Sequence, residues 1–148
     1  MSAPKGGIIM TDLTSTPEDK TRNYVTSKTG NWFLSSEFAR EISGTGILSV
    51  IQNPGNLNTN LMRHAQWMKY VVYPLLHNAK MGAYTELWAG LSPELTMENG
   101  GAYVLPWGRP HPSPCEDLVD ALKAKEDGGT AVAHEFWKWC VDQIAAYT

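Results

Sequence analysis

The sequence predicts an α/β fold in which helices dominate and about two strands run parallel. Two short apolar runs, residues 47–51 and 102–106, are typical of buried strands, and longer stretches with helical spacing of apolar side chains lie between and after them. A helix that passes through a glycine turn into a strand is the basic unit of α/β folds. With 148 residues, 43% of them hydrophobic, the chain is large enough to bury a core of its own.

The first half of the chain predicts a loop, a helix, a strand and a turn. Residues 1–22 are rich in Gly, Pro, Ser, Thr and charge, so we expect a loop with at most one helical turn. The segment 23–59 then begins with a helix that runs to about Ile42 and ends at the glycines that follow. The strand at 47–51 comes next, and Asn53-Pro54-Gly55 closes it with a turn.

The second half predicts further helices around a second strand. Residues 60–91 read as two helices, about 60–80 and 81–91, of which the first must end or kink at Pro74. In residues 92–148 we expect the strand at 102–106 and then an extended proline-rich loop at 107–114. Two closing helices follow, at about 116–125 and 130–147. All four segments are interpreted as one domain.

The composition argues against several classes of function. A net charge of −3 and the lack of any cluster of lysine and arginine give no basic surface for nucleic acid. No apolar run approaches the length of a membrane span or forms the core of a signal peptide, so we expect no membrane association and a cytoplasmic location. The cysteines Cys115 and Cys140 lack CxxC spacing, and we expect reduced thiols. No metal site is predicted, because the four histidines are also not spaced as metal ligands: His64, His77, His111 and His134.

The most informative pair of residues stands near the start of the first long helix. Tyr24 and Lys28 are four residues apart, which places the phenol and the ammonium on one helix face. A fixed cation beside a phenol favours its ionised form. A tyrosine held in this way can act as a proton donor or acceptor, so the pair is a candidate catalytic site.

Two motifs in succession give the chain a specific resemblance. Tyr24-Val-Thr-Ser-Lys28 is followed by a helix, a strand and then Asn53-Pro54-Gly55-Asn-Leu57-Asn-Thr59. In order and spacing the chain resembles the C-terminal half of the short-chain dehydrogenases/reductases. Residues 85–93 and 101–108 resemble the tail of fungal, retinol-dehydrogenase-like members. The resemblance implies a truncated, Rossmann-like half-domain.

The resemblance also implies roles for individual residues. Tyr24 would be the catalytic acid/base of an NAD(P)-dependent oxidoreductase acting on a small alcohol or carbonyl compound, and Lys28 would activate it and bind the nicotinamide ribose. The nicotinamide end of the cofactor would be lined by Pro54, Gly55, Leu57 and Thr59. Residues 60–80 would form the variable lid over the substrate.

Other parts of the family pattern are missing from the sequence. We find no glycine-rich phosphate turn between a strand and a helix, and no strand that carries the catalytic serine; Ser2 is the only upstream candidate. The residue that selects NAD or NADP is missing as well. We therefore expect that another chain would have to supply the phosphate site.

Two alternatives follow from the same residues. The chain could be a non-redox pseudoenzyme or interaction subunit that pairs with itself or with a full-length relative, through the Tyr24 helix and the open strand edge at 47–51. It could instead be a cofactor-free isomerase or cyclase that uses Tyr24 for proton transfer.

Overall fold

A computed structural model describes residues 4–15, 17–60 and 72–147 of the chain. We label its helices and strands in chain order. The helices are α1 (Asp12–Ser15), α2 (Lys20–Glu41), α3 (Ala79–Leu91), α4 (Glu116–Leu122) and α5 (Val132–Ile144). The strands are β1 (Ile51–Gln52), β2 (Leu57–Asn58), β3 (His77–Asn78), β4 (Tyr103–Leu105) and β5 (Arg109–Pro110), and short 3-10 turns cover Tyr73–Leu75, Met97–Asn99 and Ala145–Tyr147. The predicted helix-dominated α/β fold is confirmed.

The main sheet has the strand order β1-β4-β5. β1 and β4 run parallel, with Ile51 opposite Tyr103, which confirms the predicted parallel pair. β1 is shorter than the predicted strand at 47–51, because β4 offers it only a short partner. β5 lies antiparallel to β4, within the segment 107–114 that was predicted to be a loop. That prediction was wrong at Arg109–Pro110, since pairing with β4 extends this stretch at a sheet edge, where a proline is tolerated.

A second small sheet joins the turn after β1 to the start of α3. β2 and β3 run parallel, with Leu57 opposite His77, and the His77 N–H donates to the Asn56 carbonyl at 2.8 Å. The predicted helix at 60–80 lies for the most part outside the described residues. Its last part is wrong, because the 3-10 turn at Tyr73–Leu75 contains Pro74 and the backbone of β3 pairs with β2. α3 therefore begins at Ala79, where the Asn78 side chain caps it.

The core lies between α2 and the C-terminal helices. Phe33 of α2 is fully buried, and it forms one cluster with Ile8, Ala121, Ala133 and Phe136. The N-terminal segment that was predicted to be a loop thus contributes Ile8 to the core. No described helix combines the length and the apolar composition that crossing a bilayer requires.

Candidate active site

Tyr24 and Lys28 lie one turn apart near the N-terminal end of α2. The helix begins earlier than predicted because the Asp19 carboxylate accepts hydrogen bonds from two backbone N–H groups of the first turn, at Thr21 and Arg22. The Lys28 Nζ lies 5.6 Å from the centre of the Tyr24 ring. The Tyr24 side chain is 49% exposed, so a ligand can reach its hydroxyl.

The pair opens onto a cleft of about 290 Å³ that we call the tyrosine cleft. Three stacked rings form part of its wall. The ring centres of Trp32 and Tyr103 are 5.3 Å apart, and those of Tyr103 and His111 are 5.6 Å apart. The remaining lining is mainly apolar and comes from α2 and from the start of α4: Val25, Thr29, Pro114, Cys115 and Leu118. An apolar cleft that contains a few polar groups is typical of a small-molecule site.

The Pro-Gly motif lines a second cleft of about 240 Å³, which we call the glycine cleft. Pro54, Gly55 and Leu57 form one side of it, and Pro106 and Trp107 lie across from them. Gly55 has φ +88°, and a Cβ built at this position would lie 3.0 Å from the Pro106 ring. The turn therefore requires glycine both for its left-handed backbone and for its close approach to Pro106.

A hydrogen-bonded asparagine connects the two clefts. Asn53 Nδ2 donates to the Tyr103 hydroxyl at 3.1 Å, while Asn53 Oδ1 accepts from the Gly55 N–H at 2.8 Å. One side chain thus holds the start of the Pro-Gly turn and the central ring of the tyrosine cleft. An Asn that precedes Pro-Gly is a recognisable turn signal, but nothing local in the sequence indicates its bond to Tyr103.

The predicted site residues are therefore divided between the tyrosine cleft and the glycine cleft. Tyr24 and Lys28 share the tyrosine cleft, whereas Pro54, Gly55 and Leu57 share the glycine cleft. Thr59 is exposed just after β2 and lines neither of these two clefts. Ser2 and residues 61–71, which include most of the predicted lid, lie outside the described residues.

The lining of the glycine cleft is partly apolar and partly polar. Pro106 and Trp107 present flat apolar groups, and Asn53, Asn56 and His77 add polar side chains. Across residues 4–15, 17–60 and 72–147, no strand passes through a glycine-rich turn into a helix. The same residues contain no group of three or more His, Cys, Asp or Glu side chains arranged to hold a metal ion.

A larger cleft of about 500 Å³ lies at the other end of α2, where the buried carboxylate of Glu37 is paired. The Glu37 carboxylate is almost fully buried, and it accepts from Arg40 and lies 3.2 Å from His134 Nδ1. Arg40 also donates to the Leu122 carbonyl. These contacts tie α2 to α4 and α5, and we interpret this cluster as structural.

Comparisons with known proteins point to one family. The chain is 42% identical over 125 residues to the short-chain dehydrogenase/reductase bet4 of Neocamarosporium betae. This match covers 84% of the chain and 36% of the relative. It is 39% identical over 142 residues to the short-chain dehydrogenase/reductase iacJ of Pestalotiopsis fici, covering 95% of this chain and 42% of the relative. Human retinol dehydrogenase 11 is a more distant relative, 28% identical over 83 residues.

The chain spans less than half of the length of these relatives. No family model matches the chain, and no solved structure matches it. The predicted resemblance, which covers nearly the whole chain but only part of each relative, is confirmed by these similarities.

Proposed function

Because the chain is homologous to a part of the fungal short-chain dehydrogenases/reductases, we propose that it contributes the proton-transfer half of an NAD(P)-dependent oxidoreductase site. The substrate would be a small alcohol or carbonyl compound. The observation that carries this proposal is the placement of Tyr24 and Lys28 together on one apolar cleft. A nicotinamide cofactor, when bound, would supply or accept the hydride.

The chain's own residues would handle the proton. In the direction of reduction, the Tyr24 hydroxyl donates its proton to the substrate oxygen as a C–H bond forms at the carbonyl carbon; in oxidation the phenolate takes the proton back. The Lys28 ammonium, one helical turn away, stabilises the negative charge that remains on the phenol.

The glycine cleft would hold the nicotinamide end of the cofactor. In this proposal the nicotinamide lies against Pro54, Gly55 and Leu57, whereas Thr59, which does not line the cleft, would contact the cofactor beyond its edge. The phosphates would be bound by a second chain that carries the glycine-rich turn, such as a full-length relative, since the described residues offer no such turn. Through its bond to Tyr103, Asn53 would fix the position of the nicotinamide site relative to the tyrosine cleft.

The test combines cofactor binding with one conservative substitution. Titration of the purified chain with NADPH and NADH, followed by calorimetry, measures binding by the chain alone and after mixing with a full-length relative. Where carbonyl reduction is observed, Tyr24→Phe should lower kcat by about 100-fold or more, because general acid catalysis is lost. Tyr84→Phe is the matched control, because Tyr84 is also 49% exposed but lies on α3.

Two results would contradict the proposal. One is a lack of saturable cofactor binding at millimolar concentration under both conditions. The other is equal activity of the two tyrosine variants. A reaction that depends on Tyr24 but needs no cofactor would favour the isomerase or cyclase alternative instead.

One observation favours an interaction subunit as the second candidate. β1 is at the edge of its sheet, so its outer backbone groups are unpaired within the described sheet. Ile47 nearby is 57% exposed, and Phe38 of α2 is 45% exposed. In this case light scattering should show a dimer or a complex with a full-length relative, and a monomer at high concentration would argue against it.

A further inference from the structure

His111 lies on the wall of the tyrosine cleft, and the proposed reaction assigns no role to its polar side chain. It directly follows β5, and its backbone N–H donates to the Tyr103 carbonyl at 2.8 Å. The pairing of β5 with β4 therefore brings His111 to the same cleft as Tyr24 and Lys28. The histidine is half-buried, so its ring belongs to the wall and is not a free surface group.

The orientation of the His111 ring is set by its neighbours. It stacks on Tyr103 with an angle of 23° between the rings, and Tyr103 stacks in turn on Trp32. The hydroxyl of Tyr103 is held by Asn53. A polar group held by packing and by a second layer of hydrogen bonds is suited to orient a ligand.

The hydrogen-bonding pattern identifies the protonated nitrogen of a neutral His111. Its Nδ1 lies 3.2 Å from the Ser113 backbone nitrogen, whose N–H donates to it. A neutral imidazole that accepts at Nδ1 carries its hydrogen on Nε2. In the part of the chain that the structure describes, no group accepts a hydrogen bond from this Nε2–H.

We propose that the Nε2–H of His111 binds the substrate oxygen and turns it toward the Tyr24 hydroxyl. This inference rests on the proposed function, because it concerns the same oxygen that Tyr24 protonates. Burying a carbonyl oxygen in an apolar cleft is unfavourable unless a donor meets it. The cleft therefore fits a ketone or aldehyde whose apolar body lies along Val25, Trp32 and Leu118.

The binding test uses an aryl ketone, 2-acetylnaphthalene, in the absence of any cofactor. Its carbonyl stretching band moves to lower wavenumber when the oxygen accepts a hydrogen bond, so infrared spectroscopy reports the contact directly. Calorimetry gives the Kd. The donor is removed in two ways, by His111→Phe and by His111→Leu, so that a folding defect in one variant leaves the other; His111→Gln keeps an N–H donor.

The wild-type chain should bind the ketone with a lowered carbonyl band. Loss of one hydrogen bond should weaken binding roughly three- to tenfold in the donor-free variants and return the band to its position in an apolar solvent. His111→Gln should retain most of the lowered band. His134→Phe, a substitution in the structural cluster at the other end of α2, should behave like wild type.

Two outcomes would overturn the role of His111. These are an unchanged band and Kd in the donor-free variants, or no saturable binding of the ketone by the wild-type chain. Because no cofactor is present, a chain that fails to reduce carbonyls can still show the His111 contact. Conversely, a lowered band that is lost only in Tyr24→Phe would refute the role of His111 and leave that of Tyr24 intact.

Discussion

Replacing Gly82 with alanine tests how closely α3 packs against the glycine cleft. Gly82 is buried on α3, and a Cβ at this position would overlap Leu57 Cδ1 and lie 3.2 Å from Pro54 Cβ. The end of the Leu57 side chain can move, but Pro54 is part of a rigid turn. Gly90 is on the same helix, and a Cβ added there meets no atom within 4 Å. Gly90→Ala is therefore the matched control for Gly82→Ala.

Both substitutions gain from the higher helix propensity of alanine, but only Gly82→Ala inserts a methyl group into a packed contact. Alanine is favoured over glycine in a helix interior by about 0.8–1 kcal/mol, and by less at Gly90 near the end of α3. Inserting a methyl group into a packed contact costs about 1–3 kcal/mol. We expect Gly90→Ala to raise the free energy of unfolding by about 0.5 kcal/mol and Gly82→Ala to lower it by up to about 2 kcal/mol.

Urea unfolding followed by circular dichroism measures both free energies under one condition. The two variants should differ by about 0.5–2.5 kcal/mol, with similar slopes against urea. If Gly82→Ala stabilised the chain as much as Gly90→Ala does, the close contact between α3 and the Pro54–Leu57 turn would be refuted. The packing of α3, which contributes Met81 to the lining of the glycine cleft, would then need to be revised.

Three further predictions concern the core, the connection between the clefts and the thiols. Phe33→Ala should lower the free energy of unfolding by about 3–5 kcal/mol, measured by urea denaturation, because Phe33 is fully buried; a loss below about 1 kcal/mol would contradict the assigned core. Asn53→Ala leaves the Tyr103 hydroxyl and a turn N–H without their partner and should cost about 1–3 kcal/mol in the same assay, whereas an unchanged midpoint would mean that neither bond contributes. Burial raises the pKa of the Cys140 thiol, so less of it is thiolate at a given pH, and peptide mass spectrometry at pH 8 should show slower alkylation of Cys140 than of the exposed Cys115; equal rates would contradict this.

The sequence predicted best those features that depend on near neighbours in the chain. Helical spacing alone placed Tyr24 and Lys28 on one face, and the Pro54-Gly55 turn followed from residues with strong turn preferences. It failed at 109–110 and at 77–78, where short strands form only because a distant partner is present. Propensity cannot reveal such partners, because strand formation depends on pairing across the sheet.

By itself the sequence determined the resemblance to the short-chain dehydrogenases/reductases, the placement of Tyr24 and Lys28 on one helix face and the order of the long helices and the parallel strand pair, because these are encoded in local spacing and in motif residues. Only the tertiary structure decided which side chains share a cleft with that pair. In the sequence His111 stood out only by its lack of metal-ligand spacing, yet the pairing of β5 with β4 places it on the wall of the tyrosine cleft. Asn53, likewise, was read as a turn residue and proves to connect both clefts through Tyr103. The physical reason is that such contacts join residues far apart in the chain, and only sheet pairing and ring stacking bring them together.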